Sequence, residues 1–228
     1  MKPFVVGICG ATCSGKSTIA DLLQQTFKHS YKLNQDDFYR PESWAGHVLV
    51  PDLNHINWEL ETSVDNQKLA SVITDKLTEL EKSVLLGPIE LEQVQSVIQT
   101  IQSSNSGEDL SGVVASCRAS VETLSLPSVV IFEGITILNN KSLRQLPDLS
   151  AFISLDYDTC LARRLLRVYD PPDPPAYFQK VVWPCYAANK KEVLTECPNI
   201  VKLDGNNSIT QNYLILLQMI LEKVKHKQ

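Results

Sequence analysis

The sequence lacks any hydrophobic run long enough to cross a membrane. A membrane-spanning helix needs roughly 20 consecutive apolar residues, and no stretch of the 228 residues approaches this. The apolar stretch at residues 4–8 also lacks the longer core and the cleavage site of a signal peptide. We therefore expect a cytoplasmic protein with no membrane partner.

Metal-binding cysteine patterns and an excess of positive charge are also absent. The six cysteines include no C-x-x-C pair, and the four histidines have spacings that suit no zinc site. We expect reduced, mostly buried thiols. A net charge of −5 is unfavourable for a broad nucleic-acid footprint, which needs clustered Lys and Arg. The expectation is a soluble globular protein with no nucleic-acid partner.

What is present is an alternation of strand-like and helix-like segments. Short, nearly continuous apolar runs are typical of parallel strands buried on both faces, and they occur at residues 4–8, 31–33, 129–132, 151–155 and 200–203. Apolar residues at helical spacing predict amphipathic helices at residues 17–28 and 212–225. This pattern predicts a single α/β domain over residues 1–228, with a five-stranded parallel sheet flanked by helices.

The stretch at residues 62–126 differs from the rest of the chain. It shows helical periodicity without a strong strand, and a polar break at residues 103–112 divides it. We interpret it as a helical insertion with a flexible loop, placed between the second and third strands of the sheet.

The clearest motif is Gly-Ala-Thr-Cys-Ser-Gly-Lys-Ser at residues 10–17, which fits G-x-x-x-x-G-K-[ST] between a predicted strand and a predicted helix. Its glycines let backbone N–H groups turn towards an anion, and the helix N-terminus adds positive potential. Lys16 would reach the β and γ phosphates of a nucleotide, and Ser17 would offer a hydroxyl to Mg²⁺. The alternative is a chance glycine turn, expected on the order of once in 100 chains of this length.

A pair of aspartates follows the second predicted strand, in Gln-Asp-Asp-Phe-Tyr at residues 35–39. Ligands bind at the carboxyl edge of a parallel sheet, so these side chains are expected beside the phosphates. Phosphoryl transfer to an alcohol needs a group that accepts the hydroxyl proton, and Asp36 is the candidate base. The alternative is that Asp36 or Asp37 only caps the following turn.

A third acid, Glu133, ends the apolar run at residues 129–132 and precedes Gly134. This is the position of a Walker B acid beside the P-loop, where a carboxylate holds Mg²⁺ through water. The alternative is a carboxylate satisfied by loop amides, but an unpaired acid at the end of a buried strand is costly.

Three arginines, Arg163, Arg164 and Arg167, are predicted to lie on one helix. The helix should begin near Asp158 and end around Tyr169, because the Asp-Pro-Pro-Asp-Pro-Pro sequence that follows cannot continue it. Arg163 and Arg167 would share a face, with Arg164 turned about 100° away from Arg163. In an acidic protein with a P-loop, a closing lid at residues 158–185 is favoured over a solvated basic helix.

Two aromatic residues, Trp58 and Tyr169, stand in polar surroundings, each next to an acid, Glu59 or Asp170. Aromatic faces can hold a planar ring, particularly a cationic one. The alternative for either residue is ordinary packing in the core.

Taken together, these motifs resemble the nicotinamide riboside kinases, within the uridine kinase-like branch of P-loop kinases. The resemblance covers residues 1–61 and 128–205. It is carried by Gly-Ala-Thr-Cys-Ser-Gly-Lys-Ser-Thr, Gln-Asp-Asp-Phe-Tyr-Arg-Pro-Glu, the strand ending Phe-Glu-Gly, and Arg-Arg-Leu-Leu-Arg-Val-Tyr-Asp-Pro-Pro-Asp, with Tyr-Phe and Val-Trp-Pro after it. The last block separates the chain from ordinary uridine kinases.

The resemblance implies a P-loop kinase fold with a lid, and transfer of a phosphoryl group from ATP, with Mg²⁺, to the 5′-hydroxyl of nicotinamide riboside or nicotinic acid riboside. Asp36, Lys16 and Glu133 would be catalytic, and Ser17, Asp36 and Glu133 would bind Mg²⁺. The residues implied to bind ATP are Gly10, Ala11, Thr12, Cys13, Ser14, Gly15, Lys16, Ser17, Thr18, Arg163, Arg167, Val168, Tyr169, Asn207 and Ser208. Those implied to bind the nucleoside are Asp36, Asp37, Phe38, Tyr39, Trp58, Glu59, Arg164, Tyr169 and Asp170.

Two features depart from the family pattern. The acid after Trp58 is Glu59, where the family generally has aspartate, and residues 62–126 match no family motif. We expect the small-molecule partner to be a nucleoside. For the protein itself, a monomer is the favoured oligomeric state. One alternative is a uridine or cytidine kinase. An alternative of another class is a nucleotide-dependent switch or binding protein that uses the P-loop without transferring phosphate to a small molecule.

Overall fold

Five parallel strands form the central sheet of the computed structural model, which describes residues 2–83, 90–103 and 109–226. The strands of the chain are β1 (Phe4–Gly10), β2 (Ser30–Asn34), β3 (Leu49–Val50), β4 (His55–Ile56), β5 (Val129–Gly134), β6 (Leu149–Ser154) and β7 (Val201–Asp204). In the sheet, β2, β5, β1, β6 and β7 lie side by side in that order, and each neighbouring pair is parallel. The predicted five-stranded parallel sheet is confirmed.

Helices in the described residues cover both faces of the sheet. They are α1 (Lys16–Thr26), α2 (Asn66–Ser83), α3 (Leu91–Ser103), α4 (Leu110–Glu122), α5 (Lys141–Arg144), α6 (Tyr157–Leu165), α7 (Trp183–Glu196) and α8 (Ile209–Lys225). α1, α3, α4 and α8 share a core with Val6 and Ile131, whereas α2, α5, α6 and α7 share one with Val5 and Phe132. Successive strand residues point to opposite faces, so covering both faces explains the continuous apolar runs. No described helix could span a membrane.

Three of these helices occupy the stretch that was predicted as a helical insertion. α3 packs against α8, and α4 packs against α1, so both helices contribute to one layer of the domain. Residues 104–108, which form half of the predicted polar break, lie outside the described residues. α4 begins at Leu110, so the end of the predicted break at residues 110–112 is helical.

The helix that carries two of the three predicted lid arginines is shorter than predicted. It ends at Leu165, and the prediction that it continues to about Tyr169 is wrong. The backbone nitrogens of Leu166 and Arg167 donate to carbonyls three residues earlier, at 3.3 and 3.0 Å, which is the tight geometry of a helix end. Leu166 is 86% exposed, so no burial supports a further turn. Arg167 therefore does not share a helical face with Arg163.

The chain between β2 and α2 contains a small antiparallel pair, β3 with β4, that the sequence analysis did not predict. Each of these strands is only two residues long, too short to show an alternating pattern. The pair belongs to a segment at residues 39–65 that returns to β2, where the backbone nitrogen of Asp65 donates to the Phe38 carbonyl at 2.9 Å.

A buried glutamine holds the ends of β2 and β5 together. Gln35 follows β2, and its side-chain Nε2 donates to Thr136 Oγ1 at 2.9 Å and to Asn66 Oδ1 at 3.1 Å. Its Oε1 accepts from the Thr136 backbone nitrogen at 3.1 Å. Gly134 leaves room for this side chain, because a Cβ there would lie 2.3 Å from Gln35 Oε1. The residues next to Gln35 and Gly134 in sequence, Asp36 and Glu133, are thereby held in a fixed relation.

We expect Gly134→Ala to destabilise the protein, because the new methyl group would overlap the Gln35 side chain in a buried site. Overpacking of this kind costs about 1–3 kcal/mol, which corresponds to a fall in Tm of about 2–12 °C for a chain of this size. Thermal unfolding followed by circular dichroism measures the change.

The matched control for this experiment is Gly112→Ala in α4, where a Cβ would meet no atom within 4 Å. Alanine is favoured over glycine in a helix by about 0.5–1 kcal/mol, so the control should leave Tm unchanged or raise it. Equal changes in Tm for the two variants would contradict the steric argument.

Candidate active site

The loop between β1 and α1 is shaped by two glycines that no other residue could replace without strain. Gly10 and Gly15 have φ of 147° and 92°, and a Cβ on Gly10 would lie 2.2 Å from the Ile153 carbonyl oxygen. The loop therefore packs directly against β6 and leads into the N-terminus of α1. Helix N-termini and turned backbone N–H groups favour an anion at this position.

The P-loop cavity is a space of about 340 Å³ lined by Thr12, Cys13, Ser14, Gly15, Lys16, Ser17, Thr18, Asp36, Glu133, Ile135, Arg163 and Arg167. The Lys16 ammonium is buried and donates to the Ala11 carbonyl at 2.8 Å, so the lysine is held along the loop. Ser17 Oγ donates to Glu133 Oε1 at 2.7 Å. The structure thus brings the serine and the acid of the predicted metal site into direct contact.

Glu133 is a buried carboxylate at the end of a strand. Burial raises its pKa, while the charge of Lys16 and the hydrogen bond from Ser17 oppose the rise. A cation beside it would favour the ionised form. Ser17, Glu133 and Asp36 line the same cavity and offer the oxygen ligands that Mg²⁺ prefers.

This donor set fits a metal shared with nucleotide phosphates. Within the described part of the chain, no group of three or more His, Cys, Asp or Glu residues is arranged to hold a metal by itself. Mg²⁺ in kinase sites is typically bound by one or two carboxylates together with phosphate oxygens and water, so a dedicated cage is not required.

A second space adjoins the first. This aromatic cavity has a volume of about 460 Å³ and is lined by Thr12, Asp36, Tyr39, Arg40, Pro41, Glu42, Trp58, Glu59, Ile135, Arg164, Arg167, Tyr169, Asp170, Pro171, Asp173 and Tyr177. Thr12, Asp36, Ile135 and Arg167 line both cavities. Asp36 is exposed at their junction, which is where a group that serves both a phosphate donor and an acceptor must lie.

Arg164 is a buried guanidinium that lines the aromatic cavity and contacts the P-loop. Its Nε and Nη2 donate to the Asp173 carboxylate at 2.6 and 3.1 Å, and its Nη1 lies 3.3 Å from Glu59 Oε1. Nη1 also donates to Thr12 Oγ1 of the P-loop at 3.3 Å. Burial opposes the charge of Arg164, but the bond to Asp173 and the charge of Glu59 raise its pKa. Arg164 therefore stays charged, with two carboxylate partners that line the aromatic cavity and one hydroxyl partner, Thr12, that lines both cavities.

The acid that departs from the family pattern, Glu59, reaches into this ion cluster. It is buried, which raises its pKa, and the charge of Arg164 opposes that rise. Asp173 was missed as a site residue, because the proline-rich segment that contains it was interpreted only as a helix terminator. The signal available in the sequence was Asp173 itself, which follows Asp170 a few residues after the predicted arginine helix.

The predicted pair of ring-binding residues lines the same cavity. The Trp58 backbone nitrogen donates to the Tyr177 hydroxyl at 2.9 Å, and that hydroxyl donates to the Ile56 carbonyl at 3.2 Å. The Arg164 guanidinium lies over the Tyr169 ring, with its Cζ 4.4 Å from the ring centroid. The structure therefore brings Trp58 and Tyr169, residues more than 100 positions apart, to one cavity.

The remaining predicted arginines contact the P-loop. Arg163 donates to the Gly205 carbonyl after β7 at 3.0 Å and to the Cys13 carbonyl at 3.4 Å. Arg167, although outside the helix, lies 3.9 Å from Cys13 Sγ. Both arginines therefore line the P-loop cavity, and their predicted contact with ATP stays a prediction.

Several predicted site residues do not line either of these two cavities, namely Gly10, Ala11, Asp37, Phe38, Val168, Asn207 and Ser208. Val168 is 98% exposed. Ser208 caps α8, because its Oγ accepts from the Gln211 backbone nitrogen at 3.1 Å, and this cap explains why α8 begins before the predicted residue 212. Their predicted binding roles stay predictions.

The parallel sheet has a P-loop after its first strand, and a second cavity meets the P-loop cavity at Asp36. This is the arrangement of a P-loop kinase. The predicted P-loop kinase fold is confirmed. The model of the phosphoribulokinase / uridine kinase family matches residues 5–170.

Full-length relatives narrow this assignment. Nicotinamide riboside kinase 1 of Rattus norvegicus is 30% identical over 100% of this chain and 96% of its own length, and that of Homo sapiens is 31% identical over 98% and 95%. A uridine kinase of Clostridium novyi is 27% identical over 73% of this chain and 69% of its own length. The chain therefore belongs to the phosphoribulokinase / uridine kinase family and, within it, to the nicotinamide riboside kinases. It is a nucleoside kinase, and membership of the family implies the use of ATP.

We expect Glu133→Gln to abolish most activity while stabilising the ligand-free protein. Glutamine would hold Mg²⁺ less well, and weakening the electrostatic stabilisation of the transferred group costs about 100-fold or more in kcat. Because the pKa of Glu133 is raised by folding, the folded state holds its proton to higher pH than the unfolded state, and stability falls as pH rises above the ordinary glutamate value. Glutamine removes this loss, so the Tm advantage of the variant should grow from pH 5 to pH 7.

The control is Glu92→Gln on α3, where the side chain is exposed. It should change neither kcat nor the pH dependence of Tm. Thermal unfolding without nucleotide, at several pH values, and steady-state kinetics provide the two measurements. A lower Tm for Glu133→Gln at pH 7 would contradict the argument.

Proposed function

We propose that the protein transfers the γ-phosphoryl group of ATP, with Mg²⁺, to the 5′-hydroxyl of nicotinamide riboside, forming the mononucleotide and feeding NAD synthesis. The observation that carries this proposal is the aromatic cavity, which combines Trp58 and Tyr169 with an acidic lining and meets the P-loop cavity at Asp36. The names of the relatives support the same acceptor.

The charge of the aromatic cavity favours a cationic acceptor. Carboxylates outnumber arginines among its lining residues, the acids being Asp36, Glu42, Glu59, Asp170 and Asp173 and the bases Arg40, Arg164 and Arg167. The pyridinium ring of nicotinamide riboside carries a positive charge, which both the acidic lining and aromatic ring faces attract. Nicotinic acid riboside is also an acceptor in this proposal, with weaker binding because its carboxylate meets the same acidic lining.

The ribose is proposed to lie between the ring-binding residues and the P-loop. Glu59 and Arg164 line the aromatic cavity, Arg164 contacts Thr12 of the P-loop, and both side chains can hydrogen-bond to ribose hydroxyls. Because the glutamate is one methylene longer than aspartate, its carboxylate reaches Arg164 while its backbone stays beside Trp58.

Asp36 would act as the base for transfer. From the junction of the cavities its carboxylate can accept the proton of the 5′-hydroxyl and orient the oxygen towards the phosphoryl group. Lys16, Arg163 and Arg167 would stabilise the charge on the phosphates, and Mg²⁺ bound through Ser17, Asp36 and Glu133 would supply further neutralisation. A closing segment at residues 158–185 would keep water from the transferred group.

The role of Asp36 is tested by comparing Asp36→Ala with Asp37→Ala. The two aspartates are adjacent and exposed, but only Asp36 lines the cavities. Loss of the base should lower kcat by about 100-fold or more, with ATP binding close to that of the wild type. Asp37→Ala should keep most activity. Equal losses for the two variants, or transfer retained by Asp36→Ala, would refute the assignment.

The acceptor is tested with a panel of nucleosides at equal concentration. We expect kcat/KM for nicotinamide riboside to exceed that for uridine and cytidine by about tenfold or more, because only the pyridinium offers a cation to the aromatic faces. Nicotinic acid riboside should fall between them. A clear preference for uridine would overturn the proposed acceptor. Measuring the same reaction with GTP in place of ATP would test the proposed phosphate donor.

A further inference from the structure

A second layer of rings lies behind the wall of the aromatic cavity. The His47 ring is in edge contact with Trp58, with centroids 4.8 Å apart and planes at 66°, and with Trp44, with centroids 5.1 Å apart and planes at 89°. Trp58 lines the cavity, whereas His47 and Trp44 are not among its lining residues. His47 therefore contacts a cavity residue without lining the cavity itself.

The position of the His47 ring is set by contacts within its own segment. Its Nε2 lies 2.9 Å from the Pro41 carbonyl, and its backbone nitrogen donates to the Trp44 carbonyl at 3.3 Å. The Arg40 guanidinium, which lines the aromatic cavity, lies 4.5 Å from the centroid of the Trp44 ring. The His47 ring is thus held by contacts with Pro41 and Trp44 of its own segment.

The hydrogen-bonding capacities of His47 and Trp58 are complementary. A carbonyl only accepts hydrogen bonds, so the contact with Pro41 requires a proton on His47 Nε2 and leaves Nδ1 of the neutral ring as an acceptor. Trp58 Nε1 is a donor. Both nitrogens are buried and have no hydrogen-bond partner among the described residues. Because the two rings are in contact, a hydrogen bond from Trp58 Nε1 to His47 Nδ1 would satisfy both nitrogens, whereas leaving them unpaired is costly.

We infer that His47 is a positioning residue that sets the orientation of the Trp58 indole and so the affinity for the ring of the nucleoside. The inference rests on the proposed function, since it assumes that Trp58 contacts the acceptor ring. It assigns His47 no contact with ATP or with the reacting atoms, because His47 lines neither cavity. Its influence must therefore appear in nucleoside binding and pass through Trp58.

The first measurement is steady-state kinetics of His47→Ala and His47→Phe with nicotinamide riboside. For His47→Ala, we expect KM for the nucleoside to rise about three- to tenfold, the size of a lost aromatic contact, with kcat and KM for ATP close to the wild type. Phenylalanine keeps the ring edge but loses both nitrogens, so its KM should lie between those of the wild type and the alanine variant. His29→Ala, at an exposed histidine before β2, is the control and should change none of these values.

The second measurement is a double-mutant cycle with Trp58→Ala. If His47 acts through the indole, His47→Ala should have no further effect on KM in the Trp58→Ala background. The inference is overturned if His47→Ala leaves KM for the nucleoside unchanged, or if its effect persists in the Trp58→Ala background. It is also overturned if kcat falls and KM for ATP rises as much as KM for the nucleoside.

Failure of the inference is distinguishable from failure of the proposed function. If the wild type does not phosphorylate nicotinamide riboside, the proposed acceptor is wrong, and the same cycle is measured with the nucleoside that the wild type prefers. An effect of His47 that depends on Trp58 would then support positioning with a different acceptor, and its absence would overturn it.

Discussion

The buried charge of Arg164 is the interaction on which most of the candidate site depends. A guanidinium removed from water costs several kcal/mol unless its donors and its charge are matched. Here the partners come from three distant parts of the chain: Thr12 in the P-loop, Glu59 beside β4, and Asp173 beyond α6. Withdrawal of Glu59 or Asp173 would leave the buried charge less well matched. The Arg164 side of the aromatic cavity is therefore held by charge pairing together with the aromatic ring of Tyr169.

The same arginine also links the P-loop to the aromatic cavity. Arg164 touches the P-loop through Thr12 and stacks on Tyr169, and Tyr169 in turn lies 3.5 Å from the Thr12 hydroxyl. Asp36 and Glu133 are held together from the opposite side by the buried Gln35. Two rigid connections thus surround the junction at which a phosphoryl group would pass from donor to acceptor. Rigidity at this point suits a reaction in which catalysis is mainly positioning and charge stabilisation.

The local parts of this arrangement could be predicted from the sequence. Continuous apolar runs indicated buried parallel strands, and the spacing of Gly10, Gly15 and Lys16 indicated a phosphate loop. The end of α6 could not be predicted from the arginine spacing alone, since it depends on whether the next turn finds anything to pack against. The strands β3 and β4 are too short for a periodic signal. Gln35 and Asp173 went unnoticed because their partners lie far away in sequence.

By itself, the sequence determined the α/β fold, the P-loop and the acids that end β5 and follow β2, because backbone conformation and strand burial depend on short-range composition. Only the tertiary structure decided that Trp58 and Tyr169 share a cavity, that Glu59 and Asp173 neutralise one arginine, and that His47 lies behind an indole. These contacts join segments whose separation in the chain carries no periodicity. These contacts stabilise the protein only after the sheet has brought the segments together at its carboxyl edge.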